Sequence, residues 1–178
     1  MHQYLVVGAF GIHASLFPSA LTGPRDKFSD VGLDAQFEAK VGSGNLVARG
    51  TWIHESQTLD ATFGSGGSAN LKNILKTLRL NTSYYPRQWV GVTGGYFQTT
   101  GSTDAGLYAP APVTGSANGE PKTNGFIGEV DVNPWENARL GVQYIGYSRF
   151  NGLSTNYDGS GRQASGNNTL FLFMWLAF

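Results

Sequence analysis

Cysteine is absent from the chain. That removes disulfides, thiolate nucleophiles and the Cys-x-x-Cys-His attachment of a c-type haem. Charge is scarce: Asp, Glu, Lys and Arg make up 13% of the 178 residues, about half the usual share. The twelve acids balance the twelve bases, so no nucleic-acid or general polyanion partner is expected. No apolar run reaches the ~20 residues of a membrane-spanning helix. The first ten residues carry no basic segment, and His13 interrupts the apolar stretch that follows, so no signal peptide is read there. The expectation is a chain processed from a precursor, or a piece of a longer protein.

Low charge ordinarily means a greasy protein, yet the mean hydropathy of this chain is slightly polar. Alternation of apolar with neutral polar positions produces that pair of properties. The 28–41 segment shows it best. Val31, Leu33, Ala35, Phe37, Ala39 and Val41 are apolar, with Asp30, Asp34, Gln36, Glu38 and Lys40 between them. On a strand the two sets occupy opposite faces. The same period predicts strands over 3–17, 46–57, 71–84, 89–99, 124–133 and 138–150. For 3–17 the reading puts the even positions Tyr4, Val6, Phe10 and Ile12 on the greasy side and His13 on the polar side. Gly-, Pro- and Asn-rich stretches separate the strands. These connections alternate long and short, as in up-and-down barrels with short turns at one end and long loops at the other.

The eighth strand, 168–178, reads NTLFLFMWLAF. Its length suits a tilted transmembrane strand of ~9–11 residues. A bare apolar strand is an aggregation hazard unless paired, and closure against the first strand would pair it. This aromatic ending resembles the C-terminal signal of bacterial outer-membrane β-barrels. The resemblance implies that Leu172, Met174, Leu176 and Phe178 are read by the barrel-insertion machinery. The expected fold is all-β: an antiparallel up-and-down transmembrane β-barrel of about eight strands. It forms a single domain over 1–178, or the C-terminal part of a larger barrel, in the bacterial outer membrane with lipid around it. The aromatics Tyr4, Trp52, Tyr84, Tyr96, Trp135, Tyr144 and Phe178 are expected in girdles at the two interfaces.

The polar positions collect into one interior set: Asp30, Asp34, Glu38, Glu55, Glu129 and Asp131 against Lys40, Arg49, Arg79, Arg139 and Arg149. Unpaired charges are costly away from water, and an eight-stranded bore is just wide enough for side chains to fill it. A charge-paired plug is therefore expected, with a charged channel lining as the alternative. Phe171, Phe173 and Trp175 fit neither, being apolar on the supposed inner face. His54 and Ser56 share one face, and a Ser–His pair is the minimum for acyl transfer. This is the basis of an alternative as a lipid-modifying hydrolase. No acid is placed to orient His54, so an interfacial histidine is the expected role and no enzyme is predicted. No metal-ligand spacing or cofactor motif occurs. A soluble ligand-binding barrel would reverse every facing.

Four segments, DKFSDVGLDAQF, TWIHESQ, DAGLYAPAPVTGSANGEP and FNGLSTNYDGSGRQASGNNTLFLFMWLAF, resemble the C-terminal portion of longer porin-like outer-membrane proteins found beside multihaem c-type cytochromes. The resemblance implies a porin-like channel or structural barrel, or a sheath for a periplasmic multihaem cytochrome. Those relatives carry further strands upstream, which this chain lacks.

Overall fold

The computed structural model describes residues 3–18 and 22–177. Eight strands follow in chain order: β1 (Gln3–Leu16), β2 (Asp26–Val41), β3 (Gly44–Leu59), β4 (Lys72–Arg87), β5 (Val90–Gly101), β6 (Thr123–Trp135), β7 (Ala138–Arg149) and β8 (Thr169–Leu176). All pair antiparallel with their sequence neighbours in a single up-and-down sheet. The connections between β2 and β3, β4 and β5, and β6 and β7 are two residues each, and the others are long. Gly42, in the first tight turn, has φ +61°, a conformation that glycine adopts without cost.

The long connections are more ordered than the expected flexible loops. A one-turn helix, α1 (Asp60–Gly64), follows β3, and a 3₁₀ turn (Ala164–Asn167) precedes β8. The chain around 85–88, expected to be a turn, stays in β4 through Arg87 across an irregularity in the ladder between Tyr84 and Arg87.

Register assigns the faces, because residues directly opposite each other project on the same side. One row runs Ala39, Leu46, Tyr84, Val92, Val130, Val142, Leu172 across seven strands. On the other face, a row runs Tyr4, Glu38, Val47, Ser83, Thr93, Glu129, Gln143, Phe171. The first face is apolar and lies open: Leu33, Val92, Val130 and Leu140 are all exposed. The reversed facing of a soluble ligand-binding barrel is therefore not found. The polar face is concave. A single cleft there is lined both by Arg49 of β3 and by Arg139 of β7, four strands away.

Two expectations are corrected. First, the sheet is not closed into a barrel: among the described residues no ladder joins β1 to β8. Second, β1 faces the other way round. Its even positions lie opposite Glu38, Gln36, Asp34 and Asp30, and so share the polar face. Phe10 lies flat across Gly32, where an added Cβ would sit 2.2 Å from the ring. His13 instead shares the apolar face with Leu5 and Val7, its Nδ1 2.9 Å from Ser29 Oγ. The cause is that β1 is apolar on both sides. Its sequence has no charge at any position from Gln3 to Leu16 apart from His13, so alternation alone gives no direction.

Candidate functional site

The polar face is built by the inward positions of β2 to β7, where charged side chains alternate with the outward apolar set. Ten of the eleven expected interior charges lie on that face by register, but they do not join into one plug. Arg149, past an irregularity in the ladder, stands opposite Asn124, in register with Gln98, Leu78 and Trp52 of the apolar face. Arg139 forms the only ion pairs among them, with Nη2 2.8 Å from Glu129 and 3.1 Å from Asp131. Asp131 is fully buried, so its charge needs that partner. Gln143 donates a further hydrogen bond to Glu129, and the Arg139 guanidinium lies 5.4 Å from the Phe173 ring.

A second group centres on Arg49, whose Nε donates to Gln36 Oε1 at 2.8 Å. Gln36 in turn donates to Glu38 at 2.6 Å. Arg79 has no ion pair among the described residues. With the Asn81 amide turned to satisfy its surroundings, its oxygen accepts from Arg79 Nε at 3.2 Å. Arg149 donates to the Gly152 carbonyl at 3.0 Å, a loop rather than an acid. Asp30 and Glu55 stand directly opposite each other across β2 and β3, a repulsive arrangement. Glu55 accepts from Gln57, while one oxygen of Asp30 is buried without a partner. Asp34 and Lys40 are exposed, and their side chains make no hydrogen bond among the described residues.

The insertion-signal residues Leu172, Met174 and Leu176 lie together on the apolar face of β8 and are exposed. Phe178 lies outside the described residues. Of the expected girdle aromatics, Tyr4 belongs to the polar face, while Tyr84, Tyr96 and Tyr144 share the apolar one. His54 and Ser56 do share a face, with Ser56 Oγ 3.4 Å from His54 Nε2. Trp52 stacks on the imidazole at 6.1 Å, and no carboxylate hydrogen-bonds to it among the described residues.

The long loops hold an organisation that sequence reading missed. Asp104 is buried and accepts six hydrogen bonds. The donors are Ser68 Oγ, Asn73 Nδ2 and the backbone N–H groups of Ala69, Asn70, Gly106 and Leu107. Burial pushes its carboxyl upward, but those donors outweigh it and hold the group well below the usual carboxylate range. Asp158 is treated alike: burial opposes ionisation, and the N–H groups of Val113, Ser160 and Arg162 hold it below the usual value. Asp26 accepts from Ala61 N, Thr62 N and the Thr62 hydroxyl, capping α1 from the preceding hairpin. Lys27 pairs with Asp60 at 3.1 Å. From the same loop layer, Tyr108 comes near Glu55 of the polar face. Burial and the carboxylates of Glu55 and Asp104 raise its phenol. The local signal was the Asp-Ala-Gly-Leu run, an acid whose own next N–H groups turn back to it.

No helix of the described residues is long and apolar enough to cross a membrane, which does not bear on crossing by strands. No group of three or more His, Cys, Asp or Glu among the described residues is placed to hold a metal ion. Comparison with protein-family models, with curated proteins and with solved structures finds no match. What the chain defines by itself is a fold class: an all-β, eight-stranded, antiparallel up-and-down sheet with one apolar and one polar face.

Proposed function

We propose that this sheet is wall of a bacterial outer-membrane β-barrel, a porin-like channel or structural barrel with a water-filled, charged interior. One observation carries the reading. The apolar row Ala39–Leu172 crosses seven strands and lies exposed at Val92, Val130, Val142 and Leu172, while the opposite face holds all the expected interior charges but Arg149. In water such a face would cost about 25 cal/mol for each Å² left uncovered; in hydrocarbon it is the required surface. Lipid admits only helices and closed barrels, so in the membrane the edges of β1 and β8 would be paired, with each other or with further strands of a larger barrel. The apolar C-terminal strand supports recognition by insertion machinery.

Conductance across a planar lipid bilayer tests the channel. Stepwise currents are expected from the reconstituted protein. Their absence removes the channel and leaves the structural barrel. Monomeric solubility without detergent removes the membrane reading altogether.

A second reading is favoured by the inner faces of the edge strands. Tyr4, Val6, Phe10 and Ile12 of β1, and Phe171, Phe173 and Trp175 of β8, present apolar surface where β3 to β7 present polar surface. A protein seated inside the barrel, such as an electron-carrying multihaem cytochrome, would cover these flanks. Co-purification of such a partner, lost on replacing Phe171 and Trp175 by Ser, is the expected outcome. The hydrolase alternative has only the Ser56–His54 approach in its favour and nothing that orients the imidazole.

A further inference from the structure

Arg49 and Arg79 are constructed alike. Each has its Nε held by the oxygen of a neutral amide, Gln36 in one case and Asn81 in the other. Each leaves its terminal Nη nitrogens without a partner among the described residues. They sit on neighbouring strands, Arg49 opposite Asn81 and Arg79 opposite Thr51, a diagonal spacing of ~7–8 Å that long side chains bridge. Both line the same cleft, of about 160 Å³, on the concave face.

Among the described residues no acid forms an ion pair with either, although Asp34 lies diagonal to Arg49 on the same face. Glu129 and Asp131, the acids on the far side of the cleft, are both engaged by Arg139. In the lining of the cleft three guanidinium groups thus face the one carboxylate of Glu129, with Glu38 reaching Arg49 only through Gln36. The Ser83 and Thr93 hydroxyls, 2.8 Å apart, add small neutral hydrogen-bonding groups to the lining. A guanidinium fixed through Nε presents its Nη edge as a planar pair of donors, which matches the oxygens of a carboxylate, sulfate or phosphate.

We infer that Arg49 and Arg79 form an anion-binding station on the polar face, taking a small oxyanion between their free Nη edges. The station rests on the proposed reading in one respect: it is the place in the lumen where a permeating anion pauses. An aqueous channel makes such a site useful, because favourable but weak binding admits a solute and still releases it.

The probe is inorganic sulfate, titrated calorimetrically into the whole chain folded in detergent micelles at low ionic strength. Saturable binding is expected, weakened about tenfold or more by Arg49→Gln and by Arg79→Gln, with strand content by circular dichroism unchanged. Arg79→Lys, which keeps the charge and loses the fork, is expected to fall between. Lys72→Gln, at the loop end of β4, is expected to bind as the parent does. No saturable binding by the folded parent, or binding by both arginine variants as tight as the parent's, overturns the station. So does equal weakening by Lys72→Gln, which would mark general charge attraction. Bilayer recording separates the two claims. Currents that sulfate does not block, or blocks equally in Arg79→Gln, overturn the station and leave the channel. Sulfate binding in micelles without any stepwise current overturns the channel and upholds the station.

Discussion

The sheet and the long loops reverse the usual arrangement of a protein. In most domains the strands are buried and the loops are exposed. Here the strands lie open, and the fully buried side chains are mainly those of the loops: Tyr157, Asp104, Asp158 and Ser116, with Asp131 the exception from the sheet. Tyr157 is at 0% exposure, edge-on to Phe150 at 4.9 Å. Phe150 meets Tyr147 at 5.2 Å, and Tyr147 meets Phe97 of β5 at 5.4 Å. The loop layer thus has its own core, aromatic at the sheet and polar above it. A sheet that leaves its apolar side bare, beneath loops that bury theirs, is what the proposed reading requires of a structure meeting two solvents, water at the loops and hydrocarbon at the strands.

The sharpest way to break that contrast is to put one charge on each region. Val130 sits in the middle of the apolar row, 51% exposed. If hydrocarbon meets it, Val130→Arg destabilises the protein in lipid vesicles by about 2–4 kcal/mol, the cost of an arginine on a barrel's lipid face near the midplane. Leu107, on the loop layer at 37% exposed, meets water, and Leu107→Arg stays within about 0.5 kcal/mol. Denaturant titration in vesicles measures both. Equal and small effects would mean that the apolar face is not embedded.

Which parts were legible in the sequence follows from which parts carry alternation. In β2 an acid, amide or lysine separates most apolar residues, so both the strand and its facing could be read. The short turns after β2 and β6 were legible for the same reason, as abrupt breaks between alternating runs, while the turn after β4 was expected at 85–88 and lies at 88–89. In β1, Tyr4 and Val6 are no more apolar than Leu5 and Val7, and only the ladder with β2 orients them. The free edges of β1 and β8 were not legible, because an apolar strand end calls for a partner without naming it. Among the site residues, the charges were legible by position but their pairing was not. Cross-strand neighbours depend on register, and Arg139 reaches Glu129 and Asp131 from an adjacent strand through it. The Asp104 cluster was illegible because its donors come from segments about 35 residues apart.

That cluster gives the intermediate effect. Asp104→Asn keeps the shape but turns an amide N–H₂ toward groups that are themselves donors. Opening of the loop layer is expected to become easier by about 1–3 kcal/mol. Amide hydrogen exchange at Ala69, Asn70, Gly106 and Leu107 reads it, with the strands unaffected. The pH dependence has a definite sign. The folded carboxyl is held below its unfolded value of ~3.9, so the stabilisation is fully present above about pH 4. It is lost as pH falls toward the folded value. Exchange protection in the loop layer should therefore fade in acid for the parent and be flat there for Asp104→Asn. A parent whose loop protection is the same at pH 2 as at pH 6 would show that Asp104 does not hold the layer.

The smallest effect is expected at the Ser56–His54 approach. Ser56 Oγ and His54 Nε2 are 3.4 Å apart on the apolar face, a long contact between partly exposed groups. Acyl transfer needs more than proximity: a base held in one tautomer, and donors at the site where an oxyanion develops. Trp52 holds the imidazole by stacking, which fixes the ring plane but offers no acceptor to fix the proton. Ser56→Ala should therefore change stability by less than about 0.5 kcal/mol. Release of fatty acid from phospholipid vesicles should be no different between parent and variant. Hydrolysis by the parent that Ser56→Ala abolishes would make the apolar face a catalytic surface, and its exposure to lipid would then be access to substrate as well as solvation.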